Sequence, residues 1–357
     1  MPTFRNIAKT LPGFKNLYKY IQDLETARNY LQQESRHQNK HIQDLETARD
    51  YLQQEFRQLN STVETLAEQV AGILQPKSQK LFVPVGHFYS PFPAVEEIKQ
   101  QEAEIFDKAN KHLPAIELNE PAQVALLLEL SRYFSDWPFS PDKSENLRYY
   151  QNNDFFGHWD ALSLYSILRH LKPPKLFEIG SGFSSALMLD TNELFLDNSI
   201  ELTFIEPYPE RLLLLLGEEE KKRIRLFQQK LQDVPLDKFR ELEAGDILFI
   251  DSTHVAKTGS DVNYILFHIL PALNKGVYIH FHDVFYPFEY VSNWVYEGRG
   301  WNEAYMLRAF LEYNKQFEIY YFVDFVQTHF SQLVKDKLPP TLQQPLGASL
   351  WLKKLED

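Results

Sequence analysis

The sequence predicts an α/β fold: a doubly wound, mostly parallel seven-stranded sheet with an antiparallel last strand, preceded by a long coiled-coil helix. Three observations carry this reading. From about residue 172, short apolar runs alternate with helical segments, as parallel strands joined by crossover helices do. The last two apolar runs have no clear helix between them, so they pair antiparallel at the end of the sheet. Residues 14–71 carry a sustained seven-residue apolar repeat with no proline or glycine inside it.

The strand-like runs are "KLFEI" (175–179), "ELTFIE" (201–206), "RIRLFQ" (223–228), "DILFID" (246–251), "VYIHFH" (277–282), "FEIYYFVDF" (317–325) and "ASLWLKK" (348–354), with a helix expected at 302–314. Before the sheet, "VPVGHFYSPFP" leads to a polar helix expected near 94–112, and "PAQVALLLELSRYF" has helical periodicity from 121. The organisation expected is an N-terminal segment 1–13, a coiled coil 14–75, a linker and helical lid 76–150, and a catalytic domain 151–357.

The coil is an internal repeat. "IQDLETARNYLQQE" at 21–34 returns as "IQDLETARDYLQQE" at 42–55, three heptads later. Leu17, Leu24, Leu31, Leu45, Leu52, Leu59, Leu66 and Ile73 share the d seam, which Gln38 alone interrupts. The a positions mix Phe14, Ile21, Ile42, Phe56, Val63 and Val70 with Arg28, Ser35 and Arg49. Polar a residues cost stability and fix register. Pro76 is expected to stop the helix. The expected partner of such a seam is another copy of the chain.

A net charge of −12 over 357 residues argues against a general nucleic-acid binder, which needs a basic footprint. The absence of cysteine removes disulfides and thiol chemistry. The N-terminus lacks the apolar run of a signal peptide. The longest leucine run, 212–216, is far short of the ~20 apolar residues of a membrane span. A cytoplasmic location is the expectation.

Ligands of open parallel sheets collect at the carboxyl ends of the strands. At the first such end, "FEIGSGFSS" offers Gly180 and Gly182 for a tight turn and Ser184 and Ser185 to open the next helix. The second strand ends in Glu206, placed to take both hydroxyls of a ribose, and "KLQDVP" offers Asp233 for an adenine amino group. A dinucleotide fingerprint would need a third glycine where Ser185 stands. Further along, Asp251 and Asp283 end the fourth and fifth strands, where two carboxylates can share one divalent cation, Mg²⁺ first among the candidates. "HFHD" is not an H-x-D iron triad, because Phe281 stands two residues before Asp283. No G-x-S-x-G elbow is present.

Glu178 with Gly180 and Gly182, the acid ending strand two and the terminal strand pair resemble the Rossmann-like class I S-adenosylmethionine-dependent methyltransferases, over roughly 150–355. "LFEIGSGFSS", "LFIDSTHV" and "IHFHDVF" are most similar to a bacterial family related to macrocin-type and rhamnosyl sugar O-methyltransferases. The resemblance implies S-adenosylmethionine as cofactor, with Gly180, Gly182 and Ser184 at its methionine portion and Glu178 at its ammonium group. It implies the ribose on Glu206, the adenine on Asp233, and Asp160 of "HWDALSL" as a further pocket residue. It also implies Asp251 as metal ligand and His254, three residues on, as general base for a hydroxyl of a saccharide or glycoconjugate. In that family a second acid or amide stands beside the fifth-strand aspartate. Here Val284 follows Asp283 and His282 precedes it, so His282 either completes the metal sphere or joins His280 in the core.

Tyr286, Phe288, Tyr290, Trp294, Arg299, Trp301 and Asn302 are expected partly to line an acceptor pocket and partly to pack their loop. Residues 257–264 are expected to form a flap whose Asp261 caps the next helix. Expected partners are the acceptor, a second copy through the coil, and other glycan-pathway enzymes. The rival readings are an inactive methyltransferase-like scaffold and a nicotinamide-dependent oxidoreductase.

Overall fold

The computed structural model describes residues 12–74, 81–338 and 347–356. The chain forms two compact units, Met1–Phe82 and Val83–Asp357. The first holds one 63-residue helix, Pro12–Leu74. The sequence repeat is visible in its local bonds: Thr26 Oγ1 donates to the Gln22 carbonyl and Thr47 Oγ1 to the Gln43 carbonyl, both at 2.8 Å. The segment 1–11 and the expected stop at Pro76 lie outside the described residues.

The second unit is built on a seven-stranded sheet: β1 (Lys175–Ile179), β2 (Glu201–Ile205), β3 (Arg225–Phe227), β4 (Ile247–Ile250), β5 (Tyr278–Phe281), β6 (Phe317–Phe322) and β7 (Leu350–Lys354). Its order is β3-β2-β1-β4-β5-β7-β6. β1 to β5 run parallel, and β7 enters antiparallel between β5 and β6. Helices on both faces bury β1, β4 and β5, so Phe177, Ile179, Leu248, Phe249, Ile279 and Phe281 are all core residues, and these strands read as unbroken apolar runs. Strand order reverses between β1 and β4, which opens a crevice at their carboxyl ends. Register then places the site: Ile179 pairs with Ile250, and Ile250 with Phe281. Gly180, Asp251 and His282 therefore leave the sheet side by side.

The structure corrects two expectations. The helix expected at 94–112 is two short helices, Val95–Gln100 and Glu102–Ile105. Beyond them the Asp107 and Asn110 side chains accept from the Ala109 and His112 amides, local bonds that compete with helix formation. The strand expected at 317–325 ends at Phe322, and helices Val323–His329 and Ser331–Lys337 separate β6 from β7. Val323, Asp324, Phe325 and Val326 are all buried, and an apolar run buried on every side reads alike as strand or helix. The stretch expected as linker and lid shares the main core through Leu127, Leu130, Phe134 and Tyr149.

Candidate active site

Gly180 lies at φ +83, and a Cβ there would come within 2.1 Å of the Asp251 carbonyl oxygen. Glycine is required because the Asp251 backbone passes so close at this positive φ; Gly180 N–H donates to the Ile205 carbonyl and Asp251 N–H to the Ile179 carbonyl. Gly182 is extended, and its N–H donates to Ser185 Oγ at 2.9 Å. Glu178 is fully buried beneath the turn. Ser184 Oγ donates to it at 2.5 Å and Ser185 Oγ also donates to it, while burial pushes its carboxyl up to about 8. Ser184 thus acts on Glu178 rather than opening the helix as a cap.

Glu206 is aimed by two backbone donors, Ser181 N–H (3.2 Å) and Tyr208 N–H (2.8 Å). Its carboxylate borders a cleft of about 530 Å³ whose other walls include Gly180, Leu231, Gln232, Asp251 and Thr253. A polar annex of about 170 Å³, between Ser181, Gly182, Phe155 and Arg211, shares Gly180, Glu206, Asp251 and Ser252 with it. Asp233 is exposed at the end of the Leu231–Asp233 turn, just beyond Leu231 and Gln232 in the wall. Asp160 does not line the cleft. Its carboxylate accepts from Ala348 N–H (2.8 Å) and from Ser349 Oγ, because Gly347–Ser349 returns across it into β7. Burial raises its carboxyl to about 6.

Beside the cleft stands an imidazole ringed by acids. His254 Nδ1 lies 2.9 Å from Glu303 Oε2, and Nε2 lies 3.4 Å from Asp251 Oδ1 and 3.6 Å from Asp283 Oδ2. His254 and Asp283 both adopt left-handed backbone, φ 58 and 57, the sort of local strain that collects at functional sites. Burial by itself would lower the imidazole pKa, but the bonds to Asp251 and Glu303 outweigh it and push it up to about 10. Glu303 is 1% exposed and opens the Glu303–Leu311 helix. Its other oxygen accepts from Ser252 Oγ (2.9 Å), and its own N–H donates to the His254 carbonyl. Asn302 clamps the same loop, accepting from Ala256 N–H at 2.6 Å, and so packs the site rather than lining an acceptor pocket. Trp301 covers the His254 ring at 4.4 Å.

His280 is a core residue, stacked on Phe249 at 3.8 Å. His282 is buried on the same face, with Nε2 3.5 Å from Asp283 Oδ1. Its Nδ1 has no hydrogen-bond partner among the described residues. Burial disfavours its charge, yet Asp283, Asp251 and Asp160 raise its pKa on balance. No group of three or more His, Asp or Glu among the described residues has metal-holding geometry.

Tyr286, Phe288 and Tyr290 are buried and hold their loop down. Trp294 and Trp301 remain half-buried, with Arg299 over both rings at 4.3 and 5.1 Å. Ser260, not Asp261, caps the following helix, accepting from Asn263 N–H. Asp261 instead takes Thr253 N–H (2.9 Å) and Oγ1 (2.6 Å), tying the 257–264 flap to the site loop. Sequence reasoning missed Glu303, Ser252 and Arg211. An acid in the first turn of a helix is common for its dipole alone, so Glu303 carried no distinguishing signal.

Residues 177–284 match the family described as "Methyltransferase domain". An uncharacterized protein of Archaeoglobus fulgidus is 37% identical over 167 residues, 46% of this chain and 75% of that protein. Among solved structures, the chain is similar to the Podospora anserina methyltransferase PaMTH1 bound to SAH (15% identity, 75% of this chain and 99% of that one, TM-score 0.35). It is also similar to the O-methyltransferase TomG of Streptomyces achromogenes in complex with SAM (12%, 73% and 96%, TM-score 0.35). Residues 177–284, on the β3-β2-β1-β4-β5-β7-β6 sheet, thus form a methyltransferase domain, and the chain belongs to the family of the Archaeoglobus protein.

Proposed function

We propose that the chain methylates a hydroxyl of a saccharide or glycoconjugate, assisted by a divalent cation. One observation supports this most: Asp251 walls the cleft beside Gly180 and Glu206 and also stands 3.4 Å from His254, so methyl donor and base share one rim. In this reading Glu206 takes the ribose hydroxyls, and Leu231 and Gln232 flank the adenine, with Asp233 beyond for its amino group. The methionine end enters the annex over Gly180 and Gly182, where Glu178 acts on its ammonium group from beneath Ser184.

In this reading two carboxylates from adjacent strand ends, Asp251 and Asp283, with His282 Nε2 beside one of them, would hold a divalent cation, a donor set suited in kind to a hard ion though not preformed. Such an ion on Asp251 and Asp283, Mg²⁺ first among the candidates, would bind the acceptor oxygen and lower its pKa. The chain's own residues do the rest. Glu303 fixes Nδ1 of His254 and leaves Nε2 toward the two aspartates. Those aspartates favour the protonated ring, so Nε2 must first give its proton to solvent; the neutral imidazole then takes the hydroxyl proton. As it does, the acceptor oxygen bonds to the sulfonium methyl carbon, the carbon–sulfur bond breaks, and S-adenosylhomocysteine leaves.

Trp294, Arg299 and Trp301 offer aromatic faces and a cation suited to a sugar. A cytoplasmic site of action fits glycosyl precursors. Among the described residues no helix is long and apolar enough to cross a membrane. The coil would pair the chain with itself and offer a surface to other glycan-pathway enzymes.

Calorimetric titration with S-adenosylhomocysteine tests the donor half. Binding is expected in the wild type and in Asp283→Ala, and a weakened isotherm in Glu206→Ala. No binding at millimolar concentration would favour the inactive scaffold instead. Radiolabelled methyl transfer to a saccharide panel, with and without Mg²⁺, tests the acceptor half.

A further inference from the structure

Along Pro12–Leu74, Leu17, Leu24, Leu31, Leu45, Leu52 and Leu59 are each more than half exposed. Two hollows open on this seam, three heptads apart. One is bounded by Leu24, Ala27, Arg28 and Leu31, the other by Leu45, Ala48, Arg49 and Leu52. A d-g-a-d quartet is the hole that receives a partner's side chain in a coiled coil. We propose that the occupant is a second copy of this chain running antiparallel, in the register that sets Ser35 against Gln38. The proposal rests on the self-pairing of the coil suggested above and adds its direction and register.

Charge and polarity favour this arrangement. A parallel, in-register pair would stack Arg28 on Arg28 and Arg49 on Arg49, two like-charged layers in the seam. The g and e residues flanking them, Ala27, Gln32, Ala48 and Gln53, supply no acid. In the antiparallel pair, a positions face d positions. Ile21 then meets Leu52, Leu17 meets Phe56, and Leu31 meets Ile42, all apolar layers. Ser35 meets Gln38, so the two small breaks in the seam satisfy each other. Arg28 lies on Leu45 and Arg49 on Leu24, where their stems pack on leucine. Their guanidinium groups then reach the second copy's Glu46 and Glu25, the acids next to those leucines. Sliding the pair by one heptad would set Ser35 against Leu45 or Leu31 and lose the match, so the register is specified by the same residues. The two helix C-termini then point in opposite directions.

The chain has no cysteine, so introduced ones report without background. Full-length Ile21→Cys and Leu52→Cys are made singly and also coexpressed with different tags, then oxidised and run without reductant. Sedimentation equilibrium is run on the wild type. The expected result is a dimer in which neither single variant links to itself and the coexpressed pair links as a disulfide. Self-linking of each single variant would mean a parallel coil and overturn the proposal. A dimer in which no combination links would overturn the register and the proposal with it. A monomer would instead overturn the self-pairing on which the proposal rests, and a trimer or tetramer would overturn the pairwise packing.

Discussion

The two halves of the strand-end rim are built differently. At the β1–β2 side, Glu178 is held by Ser184 and Ser185, within one turn of chain, and Glu206 by its neighbour Tyr208 and by Ser181 of the adjacent strand end. At the β4–β5 side, the central imidazole is held by an acid 49 residues away, in a helix that no strand of the rim adjoins in sequence. The first half is made at two neighbouring strand ends by mostly short-range bonds, and is the half proposed to hold the methyl donor. The second exists only when three separate segments dock, and it concentrates buried charge. Binding and chemistry should therefore separate under mutation.

The largest effect is expected on the chemical side. His254→Ala should lower methyl transfer by ~10²–10⁴-fold, the usual contribution of a positioned base, with S-adenosylhomocysteine affinity unchanged in calorimetry. Full activity in that variant would remove the imidazole from the reaction. Gly180→Ala strikes the other half at its foundation. A methyl group 2.1 Å from the Asp251 carbonyl, at positive φ, should cost about 3 kcal/mol in denaturant unfolding. It would also disturb both halves, because Gly180 and Asp251 bond through the same strand ends. Glu206→Ala should weaken S-adenosylhomocysteine about 10–100-fold by losing charged hydrogen bonds to the ribose. It should leave the His254 cluster intact, and equal binding would break the comparison.

The smallest effect concerns pH. Glu178 has a folded pKa near 8, above its unfolded value of 4.5. A raised acid favours the folded state fully below the unfolded pKa, and that stability drains away as pH rises from about 4.5 to about 8. Glu178→Gln should flatten this part of the profile, so the wild type loses thermal stability relative to the variant between pH 5 and pH 8, as differential scanning calorimetry would record. If the cofactor ammonium meets Glu178, S-adenosylhomocysteine binding at pH 7 should also release up to about one proton, measurable by titrating in buffers of different ionisation enthalpy.

What was legible in the sequence follows the same division. Strands, their order of chemistry and the glycine turn could be read because the signals behind them are local: apolar runs, a glycine pair closing a strand, serines at a helix start. Asp251, His254 and Asp283 could be placed at strand ends for the same reason. Glu303 could not, since nothing near it in sequence needs an acid there. Asp160 was drawn toward the cofactor by its position before β1, but the 347–349 return claims its oxygens. The aromatic loop after β5 divided by burial, with Tyr286, Phe288 and Tyr290 inward and Trp294, Arg299 and Trp301 outward, a division that depends on what packs above it.

A crystal structure with S-adenosylhomocysteine and Mg²⁺ tests the shared rim most directly. The expected result has the ribose on Glu206, the sulfur directed at the His254 side of Asp251, and the ion on Asp251 and Asp283. A cofactor bound with Glu206 empty, or with its sulfur facing away from His254, would contradict it.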